Sequence, residues 1–409
     1  MVESVRSQGV VPRPRVLIRT FAPNANPNYG GILQAWALTR VLGALGVDAM
    51  VDSTSADGTT WLSTGKSWVK RAAVSLAPAR ILPRDWARHV VDELTAEPVL
   101  RFANAQIPLF PLYDDDGSVS PSATDGFDGF VVGSDQVWRP DYTDLTSYLL
   151  NFLPPDDDRV RISFAVSFGN GDPEFSAERT RAARELVRRF SGISVRERVG
   201  IDLVRDLWGV DADQHVDPTL LVDRGVYAAL AASAVDPLPP GRLVNYLLDS
   251  TPHTCSVVRQ VANALGEESI TLLPAPPMRY AQYRRDPAAF RRPTIEAWLG
   301  AIRNARFMVT DSFHGTVFSI LNHTPFISVV DRSRAASRFD TLLGAFGLED
   351  RAVAPGDTVA GELLGAEIDW ERIDATLARE RARAFLYLER SLTTPLLFRQ
   401  RSKTEHFRR

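Results

Sequence analysis

The chain has 409 residues, of which 44% are hydrophobic and 24% are charged. At roughly 150 residues per domain this length predicts two or three domains, and the apolar content excludes a mainly disordered chain. The 47 lysines and arginines nearly balance the 50 aspartates and glutamates. A net charge of -3 argues against a nucleic-acid partner, which would require a basic field. The single cysteine, Cys255, excludes a disulfide framework and a cysteine metal cluster.

The first half of the chain alternates between strand and helix patterns. Short apolar, β-branched runs predict strands at residues 16–21, 47–51, 127–133, 161–168 and 192–195. Helical spacing of apolar residues predicts helices at 32–45, 173–190 and 198–207, whereas 53–125 shows no regular order. Strand–helix–strand units of this kind are typical of parallel sheets.

A proline-rich segment at 235–241 predicts a linker and places a domain boundary at about 222–241. Beyond it, strands are predicted at 242–248, 270–273, 307–310 and 326–330, with helices at 253–265, 294–304, 315–322 and 338–346. A last helix at 371–392 has one apolar side. We predict an α/β protein of two doubly wound Rossmann-like domains facing a cleft, at 1–222 and 223–365. The segment 366–409 would pack back on the first domain.

Ligands of doubly wound domains bind at the carboxyl ends of the strands, so the loops that follow the strands are the candidate ligand sites. After the strand at 307–310, the chain places Ser312, His314, Gly315 and Thr316 at a helix start. Free amides and the helix dipole make such a turn an anion site. His314 would then act as an acid once an anionic substrate is bound. The alternative is a capping motif in which Asp311 satisfies a buried histidine.

Two further loops follow strands in the first half. Arg196 and Arg198 are candidates for binding a carboxylate or phosphate, or are surface arginines neutralised by Glu197. Asp135, Gln136 and Trp138 form either a sugar site or an ordinary turn, since sugar sites combine carboxylates and amides with an aromatic floor.

Other patterns restrict the chemistry further. No two histidines have metal-ligand spacing, and neither a Walker loop nor a dinucleotide fingerprint occurs, so we expect no metal and no resident cofactor. The basic and aromatic stretch at 279–292 is either a site for a phosphate-bearing acceptor or a solvated loop. No apolar run approaches the roughly 20 residues that span a bilayer, and residues 1–15 lack a signal-peptide core. We therefore expect a cytoplasmic protein. The basic segment 398–409 is a candidate for peripheral contact with anionic lipid at the inner face of the membrane.

An ordered set of short motifs resembles the polysaccharide pyruvyl transferase family. They lie at residues 28–38, 130–138, 162–169, 193–197, 217–220, 310–315 and 337–351. The resemblance implies a fold similar to GT-B glycosyltransferases. It also implies transfer of pyruvate from phosphoenolpyruvate to two sugar hydroxyls, which gives a cyclic ketal, in exopolysaccharide or cell-wall glycan biosynthesis. The family histidine would be His314 and the family arginine Arg196.

On this basis the predicted site divides into three groups. The catalytic residues would be His314, Arg196 and Asp135. The donor, phosphoenolpyruvate, would be bound by Arg196, Arg198, Ser312, Gly315, Thr316 and Arg338. The acceptor, a glycan or lipid-linked oligosaccharide, would be bound by Asn28, Tyr29, Ser134, Gln136 and Trp138.

The chain departs from the family pattern at one position. Several members carry an arginine two positions before the histidine, where this chain has Ser312. Arg198, Arg332 or Arg338 would supply the missing contact. The competing functions are a GT-B glycosyltransferase that uses a nucleotide sugar and a non-catalytic carbohydrate-binding protein.

Overall fold

The computed structural model describes residues 12–54, 84–140, 144–169, 171–277, 280–332 and 336–399. Five strands form the first sheet: β1 (Arg15–Arg19), β2 (Asp48–Asp52), β3 (Leu109–Phe110), β4 (Gly129–Val132) and β5 (Val160–Ser163). They pair in the order β3-β2-β1-β4-β5, and every pair is parallel. A short parallel pair, β6 (Ser194–Val195) and β7 (Asp213–Gln214), lies beside β5 through single bridges.

The second sheet contains β8 (Leu243–Tyr246), β9 (Ile270–Thr271), β10 (Phe307–Thr310), β11 (Phe326–Val329) and β12 (Ala352–Val353). Its order is β12-β11-β10-β8-β9, again all parallel. The predicted class, α/β with two Rossmann-like units, is confirmed by these two sheets.

Helices alternate with the strands throughout. They are α1 (Tyr29–Ala44), α2 (Arg84–Gln106), α3 (Ala177–Val187), α4 (Arg198–Trp208), α5 (Arg224–Ala232), α6 (Pro252–Leu265), α7 (Tyr280–Arg285), α8 (Ile295–Arg303), α9 (Phe313–Asn322), α10 (Ala336–Phe346), α11 (Gly361–Gly365) and α12 (Trp370–Leu388). Polar N-caps start many of them, because a side-chain oxygen there accepts an otherwise unpaired amide. Asn28, for example, accepts the Gly31 amide at the start of α1.

The two halves share one apolar core. Tyr29, the first residue of α1, stacks on Trp298 of α8 with ring centroids 5.1 Å apart, and its hydroxyl donates to the carbonyl of Pro293. One continuous cluster of buried residues includes Val16 from the first sheet and Met308 from the second. This packing brings the N-terminus of α1 against the second sheet.

The last long helix, α12, contacts the first half of the chain. The Tyr387 hydroxyl donates to the carbonyl of Ser163 on β5, and Arg381 donates to the carbonyls of Leu220 and Val222. The division into 1–222, 223–365 and 366–409 stays a prediction. The proposed lipid-contacting residues beyond 399 lie outside the described residues. In the described part of the chain, none of the helices combines the length and the hydropathy of a membrane span.

Candidate active site

The turn between β10 and α9 positions His314. Ser312 caps α9 by accepting the Gly315 amide at 3.3 Å, and the Ser312 amide donates to the Thr310 hydroxyl at 3.0 Å. A Cβ on Gly315 would lie 2.3 Å from the Thr310 hydroxyl oxygen, so a glycine is needed for the helix to lie this close to the strand. His314 is therefore held at the second position of α9, at the positive end of the helix dipole.

The imidazole of His314 lies between the two halves of the molecule. Its Nδ1 faces Gly30 of α1, where an added Cβ would be only 1.9 Å away. Its Nε2 is 3.5 Å from Oδ2 of Asp217 and, within the part of the chain that the structure describes, has no hydrogen-bond partner. The residue is 6% exposed. The N-termini of α1 and α9 thus meet at one buried histidine.

Arg196 lies beside this histidine, at the end of β6. Its guanidinium donates to Oδ2 of Asp217 at 2.8 Å and lies 3.5 Å from Asp135 and 3.9 Å from Glu197. Its central carbon is 4.5 Å from the centre of the Phe313 ring. Burial alone would lower the pKa of Arg196, but Asp217, Asp135 and Glu197 together raise it above its ordinary value.

Arg338 of α10 is the second guanidinium at this site. Its central carbon lies 5.9 Å from the Phe313 ring. Burial and the nearby positive charge of Arg196 lower its pKa to about 10. The residue is half-buried, and its guanidinium, unlike that of Arg196, makes no hydrogen bond to any of the residues that the structure describes. Arg338 therefore has donors available for an anionic ligand.

Asp135 completes the group of charged side chains. It has a positive φ of 74°, which is uncommon for a residue other than glycine, and such conformations concentrate at functional sites. Its Oδ1 accepts the Gln136 amide at 2.9 Å and lies near Arg196. Asp135, Arg196 and His314, predicted as the catalytic group, are brought together by the fold.

The family model for polysaccharide pyruvyl transferases matches residues 28–333. The chain belongs to the polysaccharide pyruvyl transferase family. No curated protein sequence matches it.

Several solved structures have a similar backbone trace but low sequence identity to this family member. The wall teichoic acid polymerase TagF has 11% identity and a TM-score of 0.46, with 96% of this chain and 90% of that one covered. A UDP-glucosyltransferase from Polygonum tinctorium has 12% identity and a TM-score of 0.43, covering 94% and 99%. The UDP-GlcNAc 2-epimerase from Methanocaldococcus jannaschii has 11% identity and a TM-score of 0.40, covering 90% and 93%.

Three of the predicted acceptor contacts in this pyruvyl transferase family member are wrong, because the side chains are buried. The ring of Trp138 is fully buried, and its indole donates to the carbonyl of Tyr148, so it cannot form the floor of a sugar site. Tyr29 is buried in the packing between the halves. Ser134 is also fully buried, and its hydroxyl donates to the carbonyl of Ala165 at 2.7 Å. Their burial and their hydrogen bonds within the protein take these side chains out of reach of a ligand.

The donor contact predicted for Thr316 is wrong for the same reason. Thr316 is fully buried, its amide and hydroxyl both donate to the Ser312 carbonyl, and its hydroxyl also pairs with Ser328. Arg198 lies at the exposed start of α4, where its amide donates to the Thr341 hydroxyl. Roles in ligand binding for Arg198 and Gln136 stay predictions. Asn28 and Ser312 cap the helices α1 and α9, and Gly315 lets α9 lie close to β10.

Asp311 does not satisfy His314, contrary to the alternative interpretation of this turn. Its two oxygens accept the amides of Leu248 and Asp249 at 2.6 and 2.8 Å. Burial is the main cause that raises its pKa to about 6. Asp311 and Asp331 line a separate cavity of about 360 Å³ at the carboxyl edge of the second sheet. Such carboxylates would repel an anionic donor.

Sequence reasoning assigned no role to Asp217 or Gly30, although both contact His314. Asp217 stands in a stretch of Asp, Pro and Thr that is also typical of a structural turn. Gly30 follows the predicted acceptor contact Tyr29, but His314, which it contacts, lies 284 residues further along the chain. Within the described residues, no group of three or more histidine, cysteine, aspartate or glutamate side chains is arranged to hold a metal ion.

Proposed function

We propose that this protein transfers the pyruvyl group of phosphoenolpyruvate to two hydroxyls of a glycan sugar, forming a cyclic ketal and releasing phosphate. The observation that carries the proposal is the position of His314. It is a buried histidine at the N-termini of two helices, with the guanidiniums of Arg196 and Arg338 beside it. Membership of the pyruvyl transferase family supports the same reaction class.

The charges at the site suit a donor with a carboxylate and a phosphate. Arg196 is already held by Asp217 and Asp135, whereas Arg338 keeps its donors available. We therefore assign Arg338 the direct contact with the donor, in place of the arginine that several family members carry at the position of Ser312. Arg196 and the two helix N-termini add positive potential, which stabilises the leaving phosphate electrostatically.

His314 is the proposed general acid. Its proton would pass to the methylene carbon of phosphoenolpyruvate, which becomes a methyl group, and the neighbouring carbon becomes electrophilic. One sugar hydroxyl then adds to that carbon, the bond to the phosphate oxygen breaks, and the second hydroxyl closes the ring. Of the two hydroxyl protons, one restores His314 and one leaves with phosphate. Asp135 would orient or deprotonate the acceptor. The reaction balances without a metal or a redox cofactor.

We also propose where in the cell the protein acts. Phosphoenolpyruvate is a cytoplasmic metabolite, so the acceptor would be a glycan or lipid-linked oligosaccharide presented at the inner face of the membrane, for exopolysaccharide or cell-wall synthesis. The basic residues of the segment 398–409 support peripheral contact with anionic lipid there.

The first experiment measures phosphate release from phosphoenolpyruvate with galactoside, glucoside, mannoside and N-acetylhexosamine acceptors, and analyses the products by mass spectrometry. We expect release coupled to a pyruvate ketal on one acceptor. Absence of release with every acceptor, together with thermal stabilisation by a nucleotide sugar but not by phosphoenolpyruvate, would contradict the proposal. That result would favour the glycosyltransferase alternative.

The His314→Ala variant tests the acid directly. We expect it to lower turnover by at least roughly 100-fold, since this is the usual contribution of a general acid. The matched control is His323→Ala at the other end of α9, where the imidazole instead contacts Asp374 and Trp370. Turnover should be unchanged in this control. Near-normal turnover by His314→Ala would remove His314 from the mechanism.

A further inference from the structure

The carboxylate of Asp217 is the common partner of the charged groups at the site. Its Oδ2 lies 2.8 Å from Arg196, 3.5 Å from Nε2 of His314 and 3.5 Å from the Ser134 hydroxyl. The residue is only 1% exposed. A charge buried this deeply is tolerated only when opposite charges and hydrogen bonds compensate for its lost hydration.

The carboxylate is itself fixed in orientation. Its other oxygen, Oδ1, accepts the amide of Thr219 at 3.0 Å and the Thr219 hydroxyl at 2.7 Å, at the start of the short turn Pro218–Leu220. Burial works to raise the pKa of Asp217, but the charges of His314 and Arg196 and the Thr219 amide outweigh it and hold the pKa well below its ordinary value. Asp217 is therefore an anion in a fixed position, to which its partners are oriented.

The geometry also distinguishes the two nitrogens of His314. Nδ1 is packed against Gly30, whereas Nε2 faces Asp217 at a distance too long for a hydrogen bond. A proton on Nε2 is attracted by the carboxylate without being locked to it. Nε2 is consequently the nitrogen from which a proton can reach a ligand.

We propose that Asp217 is a positioning residue: its fixed charge orients Arg196 and the His314 ring and stabilises the protonated His314 that donates from Nε2. This inference rests on the proposed function, because it assigns His314 the role of an acid. The carboxylate does not contact the donor, since its two oxygens already accept hydrogen bonds from Thr219 and Arg196.

The variant Asp217→Asn removes the charge and keeps the shape. We expect kcat to fall by about 100-fold, while KM for phosphoenolpyruvate stays within a few-fold because Arg338 is untouched. A contact that only maintained the fold would instead affect kcat and KM together.

Two further variants separate charge from geometry. Thr219→Val removes the hydroxyl that fixes Oδ1 but keeps the Asp217 charge, so kcat should fall by less than in Asp217→Asn, again with KM nearly unchanged. It also keeps the proposal testable if Asp217→Asn fails to fold. Asp213→Asn is the matched control, because this exposed carboxylate on β7 pairs with Arg390 outside the site, and both kcat and KM should be unchanged.

NMR of the His314 ring nitrogens distinguishes failure of this inference from failure of the proposed function. The Nε2 resonance should differ between the wild-type protein and folded Asp217→Asn, because the charge that faces this nitrogen is removed, whether or not phosphoenolpyruvate is turned over. Unchanged kcat and an unchanged resonance in the folded variant would overturn the positioning role. Absence of turnover in the wild type with a shifted resonance in the variant would overturn the assigned reaction and keep Asp217 as the partner of His314.

Discussion

Two adjacent glycines at the start of α1 have very different surroundings. A Cβ on Gly30 would lie 1.9 Å from Nδ1 and 2.2 Å from Cγ of His314, whereas a Cβ on Gly31 would find its nearest neighbour at 3.7 Å. The buried turn before α9 fixes the backbone at His314, and the residue is only 6% exposed, so its ring has little room to move aside. Gly30 is thus the residue of the first half that leaves room for the proposed acid.

We expect Gly30→Ala to displace the His314 ring and to lower pyruvyl transfer by at least roughly 100-fold, because a displacement of about 1 Å at a reacting group has that effect. Gly31→Ala is the matched control, since both changes give the same gain in helix propensity. Its activity should stay near that of the wild type. Steady-state rates of both variants provide the test, and equal activity of the two would contradict the role of Gly30.

At this scale the sequence identified His314, Arg196 and Asp135 because each follows a strand of a parallel sheet, where ligands bind. It could not separate ligand contacts from core residues in the same loops. Trp138 lies in the core against Trp208, whereas Asp135 and Gln136 of the same loop stay half-exposed, and nothing in the local sequence shows which residues face inward. The contact between Asp217 and His314 depends on how the two halves pack, which no local pattern records.

At the scale of elements, most strands and helices appear where the apolar periodicity predicts them. The helix α5 is an exception, because it lies within the boundary predicted at 222–241. Its Asp223 N-cap and buried Tyr227 were obscured by the proline-rich stretch that follows. The helix α2 was also missed, since its many charged residues leave only a weak apolar stripe. The strand predicted at 161–168 ends at Ser163, and the chain continues through isolated bridges.

The short strand β7 leads directly to a buried histidine with consequences for stability. The ring of His215 packs 4.7 Å from Tyr387 and 5.9 Å from Phe164, and Nδ1 pairs with the Ser194 hydroxyl. Burial lowers its pKa from 6.5 to about 4. The folded protein therefore keeps His215 neutral where the unfolded chain binds a proton. The contribution of neutral His215 to the free energy of unfolding is therefore complete above pH 6.5 and is lost as the pH falls towards 4.

We expect His215→Phe to remove this pH dependence while keeping the aromatic packing. The wild-type free energy of unfolding should fall by about 3 kcal/mol more than that of the variant between pH 7 and pH 4. The variant should be less stable at pH 7, because it lacks the hydrogen bond to Ser194. Urea unfolding at several pH values measures the difference, and Asp217 contributes equally to both proteins. Parallel stability curves for the two proteins would show that His215 does not titrate as expected.

At the scale of the whole molecule, the apolar core does not stop at the boundary between the sheets. One buried cluster runs from Ile18 of β1 through Trp36 of α1 to Trp298 of α8, and it includes Leu388 near the end of α12. A site made of residues from both halves requires such rigidity, because His314 follows β10 of the second sheet and Asp217 follows β7 beside the first. We therefore expect the two halves to unfold together in one cooperative transition.

The variant Leu388→Ala tests that coupling at a point remote from the site. Leu388 is fully buried, and its truncation should lower the free energy of unfolding by about 2–5 kcal/mol. Leu386→Ala in the same helix is the control, since Leu386 is 61% exposed and should change stability by less than about 0.5 kcal/mol. Urea unfolding followed by tryptophan fluorescence and by far-UV circular dichroism should give coincident transitions for both variants. If Leu388→Ala instead separates the two signals, the halves fold independently.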